Sequence, residues 1–181
     1  AIIISLFLAQ KRKKIYIVLP TTLLVKQVFE KTLNFMDKAG IDDIVVLAYH
    51  SGLKLSEKKS FYEKVKNGNF NIVITTSQFL LRNFEYLSGN YFDLIVVDDV
   101  DAVLKSSKSV DKILLLLGFS QEIIDSAYHF IMLKKRIATL LKSKKVIPKE
   151  IQAEYRKLSK SISKFLSKNK KNLGCLIVST A

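Results

Sequence analysis

The sequence predicts an α/β fold, a doubly wound parallel sheet interrupted by an inserted antiparallel helical hairpin. Three observations lead there. Short apolar runs rich in β-branched residues recur at positions 15–19, 44–48, 71–75, 94–97 and 174–178. Segments of helical periodicity separate the first four, as in a βαβ series. From position 106 to 172 no strand-like run occurs, and the pattern is helical throughout.

The first element, residues 2–9, is apolar and reads as a buried helix. It is too short to span a bilayer, has no basic residues before it and lacks a cleavage pattern after it. Each strand run is apolar at successive positions, so both faces should be covered, as in the centre of a parallel sheet. A helix over 22–38 places Leu24, Val28, Phe35 and Met36 on one stripe, and a second over 56–67 stops at Gly68. After 94–97 an apolar helix over 111–117, stopped by Gly118, is expected. Two long helical faces follow. The first carries Ile123, Ile124, Ala127, Phe130, Ile131, Ile137, Leu140 and Leu141. The second, begun at Pro148, carries Ile151, Tyr155, Leu158, Ile162, Phe165 and Leu166 at coiled-coil-like spacing. The division read from this is an α/β domain over 1–105 and 173–181, with a basic helical insertion over 106–172.

The net charge of +14 is concentrated in one segment. Residues 1–104 carry 13 Lys/Arg and 11 Asp/Glu, a net of +2, whereas residues 105–172 carry 17 and 5, a net of +12. Such a segment suits a polyanion, although lysine enrichment also accompanies heat tolerance in hyperthermophile proteins. Its few aromatic residues point to phosphate contact without sequence readout, with Lys144 and Lys145 in the turn between the helices as candidates. A solvated hairpin face is the bland alternative. One cysteine, Cys175, allows neither a disulfide framework nor a cysteine-based zinc site within the chain, so zinc is not expected and a reducing, cytoplasmic setting is. No membrane association is expected.

In open parallel sheets ligands bind at the carboxyl ends of strands. Pro20, Thr21 and Thr22 follow the first run, and Thr75 and Thr76 end the third. Their hydroxyls and nearby helix amides suit phosphates of a nucleic-acid backbone, although a threonine there is more often merely a helix cap. Asp98, Asp99 and Asp101 follow the fourth run. Three carboxylates within four residues repel one another unless a cation offsets them. Mg²⁺, which takes one or two carboxylates plus substrate phosphates and keeps several waters, fits Asp98 as the metal-side ligand of a nucleotide site. Asp99 could then orient or deprotonate an attacking water, and Asp101 could hold neighbouring elements. An acidic turn capping a short helix is the alternative. Ser179 and Thr180 follow the last run. His50, His129 and the basic loop 11–14 read as structural or solvated.

Taken in order, Pro-Thr-x-x-Leu-x-x-Gln (20–27), Thr-Thr-x-x-Phe-Leu (75–80), Val-Asp-Asp-Val-Asp (97–101) and Ser-Thr-Ala (179–181) resemble motifs Ia, Ib, II and the start of III of superfamily 2 helicases. Within that superfamily, the text from Phe92 to Lys108 and the leucine-rich run to Phe119 resemble the reverse gyrase family, specifically its first helicase-like domain. The resemblance spans roughly residues 1–118 and 173–181; the helical insertion fits it loosely. It implies a RecA-like fold of P-loop NTPase type, incomplete here, with ATP and Mg²⁺ as cofactors. Asp98 would bind Mg²⁺ through water, and Asp99 would stand where the Asp-Glu-Ala-Asp of ordinary relatives has Glu. Pro20, Thr21, Thr75 and Thr76 would face a DNA backbone without sequence preference. The implied parent couples ATP hydrolysis to positive supercoiling through a second helicase-like domain and a type IA topoisomerase domain of the same chain.

The departures are specific. Glycines 40, 52, 68, 89, 118 and 174 are scattered singly, so no Gly-x-x-x-x-Gly-Lys-Ser/Thr phosphate loop is present; it is expected before Ala1. The chain reads as an internal piece, inactive alone. Either Ser179 or Thr180 could be the first member of motif III. Three other readings stand beside the first: a superfamily 2 DNA or RNA helicase, a non-catalytic nucleic-acid-binding module, and an α/β scaffold whose basic hairpin recruits an acidic protein.

Overall fold

The computed structural model describes residues 2–98 and 107–179. Asp99, Asp101 and Thr180 lie outside the described residues, as does the short helix over 100–105 of the alternative reading. Along the described chain run α1 (Ile2–Gln10), β1 (Ile15–Leu19), α2 (Thr22–Ala39), β2 (Val46–Ala48), α3 (Leu55–Lys66), β3 (Ile72–Thr76), α4 (Ser77–Arg82), α5 (Phe84–Leu87), β4 (Leu94–Asp98), α6 (Ser107–Leu116), α7 (Gln121–Lys142), α8 (Lys149–Asn169) and β5 (Cys175–Ser179). The five strands form one parallel sheet in the order β2-β3-β1-β4-β5. The α/β class and parallel sheet are those expected.

Two compact units result: residues 1–118 with 174–181, and residues 119–173. Helix α6 belongs to the first, so this division falls at 118/119, whereas the sequence placed the start of the insertion at 106.

Within the first unit β1 is the centre. All five of its residues are buried because the period-two alternation of a strand sends them to two covered faces. Ile15, Ile17 and Leu19 join Ile72, Ile74, Leu94 and Val96 in a core closed by Leu6 and Ala9 of α1 and Val25 and Met36 of α2. On the opposite face Tyr16 is wholly buried, its ring 5.3 Å from that of Phe92. A buried phenol needs a hydrogen-bond partner, and the Tyr16 and Thr75 hydroxyls supply one to each other at 2.7 Å. Burial pushes the Tyr16 phenol far above its ordinary pKa. At the strand starts, Asp93 accepts from the Lys14 backbone N–H and from Lys13 Nζ, both at 2.9 Å, tying β1 to β4 and pinning their register.

Three burial patterns depart from the sequence reading. Helix α1 buries only Ser5, Leu6 and Ala9, while Ile3, Ile4 and Phe7 are at least half exposed. The buried stripe of α2 is Val25, Thr32 and Met36; Phe35 points outward, and Thr32 is accommodated because its hydroxyl donates to the Val28 carbonyl at 2.7 Å. Strand β5, expected to be covered, is exposed along its whole length. It lies at the sheet edge, bonded to β4 on one side only among the described residues. Gly174 leads into it. A side-chain carbon there would collide with the Phe92 carbonyl oxygen and sit 2.7 Å from Leu117 Cδ2. Only glycine lets the chain pass close enough for Cys175 N–H to reach the Asp93 carbonyl at 2.8 Å and open the ladder.

In the second unit, α7 and α8 run antiparallel. Phe119 at one end meets Phe165 with ring centres 5.9 Å apart, and further along Phe130 stacks on Tyr155 at 4.7 Å. Ile123 and Ile124 between these pairs, and Leu133 and Ile151 on the turn side of the second, are buried. The connecting turn is a Schellman motif: Lys144 and Lys145 N–H groups bond to the Leu141 and Leu140 carbonyls, both at 3.0 Å. It puts Lys144 in the left-handed region at φ 53°, a conformation that suits glycine. No helix among the described residues is long and apolar enough to cross a membrane.

Two stability outcomes are expected in urea denaturation. Gly174→Ala should lose about 3 kcal/mol, because the obstruction is backbone and cannot swing away. Lys144→Gly should gain about 1 kcal/mol by relieving the left-handed strain.

Candidate functional site

Parallel pairing aligns the carboxyl ends of the strands along one rim. Leu19 pairs with Thr76, Val18 with Val97, and Asp98 with Ser179, so Pro20, Thr76, Asp98 and Ser179 all stand at that rim. The rim is where a parallel sheet exposes unpaired backbone and the starts of the following helices. Asp98 and Ser179 meet there directly: the Ser179 hydroxyl donates to Asp98 Oδ1 at 2.5 Å. This occupies one carboxylate oxygen and leaves Oδ2 without a protein donor among the described residues. Asp98 is half-buried, and both residues border a hollow of about 870 Å³ whose walls include Ile2 to Ile4 of α1, Ile17, Val96 and Ile177. A carboxylate at the mouth of an apolar hollow keeps its charge at the solvent edge, where a hydrated cation can reach it.

The threonines separate into three situations. Thr21 is exposed and caps α2, its hydroxyl accepting from Leu24 N–H at 3.2 Å. Thr76 caps α4 in the same way, accepting from Phe79 N–H at 3.2 Å. In both the hydroxyl hydrogen stays available to donate to an anion. Thr22 and Thr76 line a common hollow between the ends of β2 and β3. Thr75 is a correction: its side chain is fully buried, paired with Tyr16 and donating to the Thr76 carbonyl at 3.2 Å, so it cannot face a nucleic-acid backbone. Strand alternation explains this, since Thr75 and Thr76 point to opposite sides.

Lys144 and Lys145 are exposed in the second unit. Asp99, Asp101 and Thr180 lie outside the described residues. Side chains to which the sequence reading gives no functional role also border the hollow of Thr22 and Thr76, among them His50, read as structural or solvated, and Lys58 and Arg82. The signal that could have found them is position: His50 follows the second strand run by two residues, and the helices after β2 and β3 carry the two cations. Tyr49 beside them is held by rings of Phe61, Tyr62 and Phe79 at 5.2, 5.5 and 4.5 Å, and Tyr62 Oη donates to Tyr49 Oη at 3.0 Å.

The joined carboxylate and hydroxyl and the threonine caps lie along one rim, the side on which open parallel sheets bind ligands. The profile of the DEAD/DEAH box helicases matches residues 1–133, and the chain belongs to that family. Its sequence is also similar to reverse gyrases over nearly its whole length. It is 42% identical to the reverse gyrase of Methanocaldococcus jannaschii over 182 residues, 99% of this chain and 10% of that protein. With the reverse gyrase of Pyrococcus horikoshii it shares 50% identity over 139 residues, 76% of this chain and 8% of that one. Reverse gyrase 1 of Aquifex aeolicus is 40% identical over 177 residues, 97% of this chain and 14% of the relative. The chain thus spans a small part of the length of each relative it matches.

Replacing Ser179 by Ala should cost about 1 kcal/mol in urea denaturation, the value of a charge-assisted hydrogen bond discounted for exposure. Ser179→Thr, which keeps the hydroxyl, should lose less than half of that.

Proposed function

We propose that this chain is part of the first helicase-like domain of a reverse gyrase, in which ATP binding and hydrolysis are coupled to positive supercoiling of DNA by a type IA topoisomerase domain. In this reading residues 1–118 and 174–181 belong to the RecA-like domain and residues 119–173 are a basic insertion. The carrying observation is the Ser179–Asp98 hydrogen bond, which links the strand end expected to sense nucleotide to the one expected to begin motif III. Support from sequence is the likeness to reverse gyrases along 99% of the chain.

Mg²⁺ fits the residues present. No group of three or more His, Cys, Asp or Glu side chains gathers into a cation cage among the described residues. A site that relies on one carboxylate, water and substrate phosphates needs none. Asp98 Oδ2 would accept from a water of the metal's shell while Ser179 holds Oδ1. When bound with ATP, the metal would offset the charge on the transferring phosphate. Asp99 would orient the attacking water and take its proton; an Asp there reaches less far than a Glu, so hydrolysis would be slow until DNA organises the site. Movement of the phosphate would reach β5 through Ser179, since that hydroxyl is bonded to the metal-side carboxylate. Thr21, Thr22 and Thr76 would donate to DNA phosphates, Pro20 would shape the turn that presents them, and Lys144 and Lys145 would add sequence-independent attraction. The phosphate loop would come from the segment before Ala1, so this piece alone would hydrolyse no ATP. The parent would work in the cytoplasm.

An ordinary superfamily 2 helicase is the second reading; the DEAD/DEAH match over residues 1–133 favours it, since that match asks for no topoisomerase partner. In the full-length parent, Asp98→Asn and Asp99→Asn should each lower DNA-stimulated ATP hydrolysis by about 100-fold or more and abolish positive supercoiling. Full stimulated hydrolysis in Asp99→Asn removes its role as base. A parent that hydrolyses ATP on DNA without changing its linking number supports the second reading.

A further inference from the structure

Strand β2 stands at an edge of the sheet, bonded among the described residues to β3 alone. The Val45 carbonyl accepts from Ile72 N–H at 3.1 Å, and Tyr49 N–H donates to the Ile74 carbonyl at 2.9 Å. Strand alternation then turns the N–H and C=O groups of Val46 and Ala48 the other way, to the open edge. None of these four groups has a partner among the described residues. A row of alternating donors and acceptors at strand spacing matches one chemistry, the main chain of another extended segment.

This edge lies along a groove of about 430 Å³ whose two walls differ. On one face of the strand, Val46 and Ala48 pack with Phe29 of α2 against the core. On the other, Ser56, Ser60 and Lys64 of α3 line the groove, spaced four apart and so on one side of that helix. Glu57 lines the same side, but its Oε2 accepts from Lys54 N–H at 2.6 Å as a helix cap. Lys64 has no ion pair among the described residues, which leaves this wall hydroxylic and cationic. Side chains of an added strand would alternate between the two walls, half of them meeting Phe29 and half meeting hydroxyls and an ammonium. The fitting sequence therefore alternates apolar and acidic residues. The flanking helices also obstruct a strand that already carries its own covering layers, so β2 edges of two copies cannot meet, whereas a single extended segment can enter.

We propose that the open edge of β2 is a docking site for an extended acidic segment of a partner protein. The segment adds a strand to the sheet, with its apolar side chains against Phe29 and its carboxylates toward Ser60 and Lys64. The inference stands apart from the nucleotide and DNA readings and uses none of their residues.

The test uses the full chain and a capped peptide, Thr-Val-Glu-Val-Glu-Val-Thr, beside a second peptide in which lysine replaces both glutamates. Saturation with the acidic peptide should slow amide exchange at Val46 and Ala48 by about tenfold or more, since both N–H groups gain a partner. Tyr49, already bonded to β3, should change by less than about twofold. Lys64→Glu should weaken binding of the acidic peptide about fivefold and reverse the order of the two peptides. Ser60→Trp, at an exposed position where the larger ring fills the groove, should abolish binding and leave the unfolding midpoint in place. Val46→Pro, which removes one outward N–H and no bond to β3, should abolish it as well. Unchanged exchange at Val46 and Ala48, equal affinity for the two peptides, or undiminished binding by Ser60→Trp overturns the proposal. Protection of the same amides by a second copy of the chain at raised concentration, or by single-stranded DNA, overturns it too.

Discussion

The parallel register of β4 between β1 and β5 is the constraint on which the candidate site depends. The Asp93 carboxylate ties the starts of β1 and β4 together, its carbonyl accepts from Cys175 N–H to start the β4/β5 ladder, and from there Asp98 emerges opposite Ser179. A slip of one residue would turn Asp98 into the sheet face and replace it at the rim by Val97. Gly174 enforces the same register from the other side, since only a residue without a side chain passes the Phe92 carbonyl. The carboxylate and hydroxyl are therefore positioned by backbone hydrogen bonds several residues away, which makes the site rigid without burying its charge.

Much of the sheet was legible in the sequence because its strands are buried on two faces, which writes them as continuous apolar runs. The departures have local causes. Residues 44 and 45 were read as strand, but the Asn71 side chain accepts from Val45 N–H at 2.9 Å and the ladder starts at Val46. Helices α4 and α5 are too short to leave a periodic pattern. Phe35 was assigned to the buried stripe of α2, where Val25 and Thr32 lie instead; the polar threonine hid the true stripe until its bond to Val28 was seen. The apolar text of β5 describes a strand suited to cover on both faces, whereas among the described residues it is exposed and bonded to β4 alone.

The site was legible to the extent that it lies at strand ends. Asp98 and Ser179 were picked out from separate parts of the chain, and the fold brings them to 2.5 Å. Thr75 was misread because two adjacent threonines look equivalent in sequence, whereas the pleat sends one to Tyr16 and the other to the rim. Lys58 and Arg82 carry no sequence signal because lysine and arginine on helices are ordinary solvated residues until three-dimensional convergence gives them a shared concavity, and His50, read as structural or solvated, lines the same hollow. The charge division across the chain has a similar character: most of the surplus lies on the helical pair, while the few cations that converge on a rim belong to the nearly neutral α/β unit.

The central claim is that Asp98 marks the metal side of a nucleotide site. Its most direct test is a crystal structure of the full-length parent with Mn²⁺ and a non-hydrolysable ATP analogue, read by the anomalous signal of the metal. The peak should lie about 4 Å from an Asp98 carboxylate oxygen, bridged by water, with Ser179 still bonded to the other oxygen. A metal and triphosphate bound elsewhere, with Asp98 facing only solvent, would contradict it.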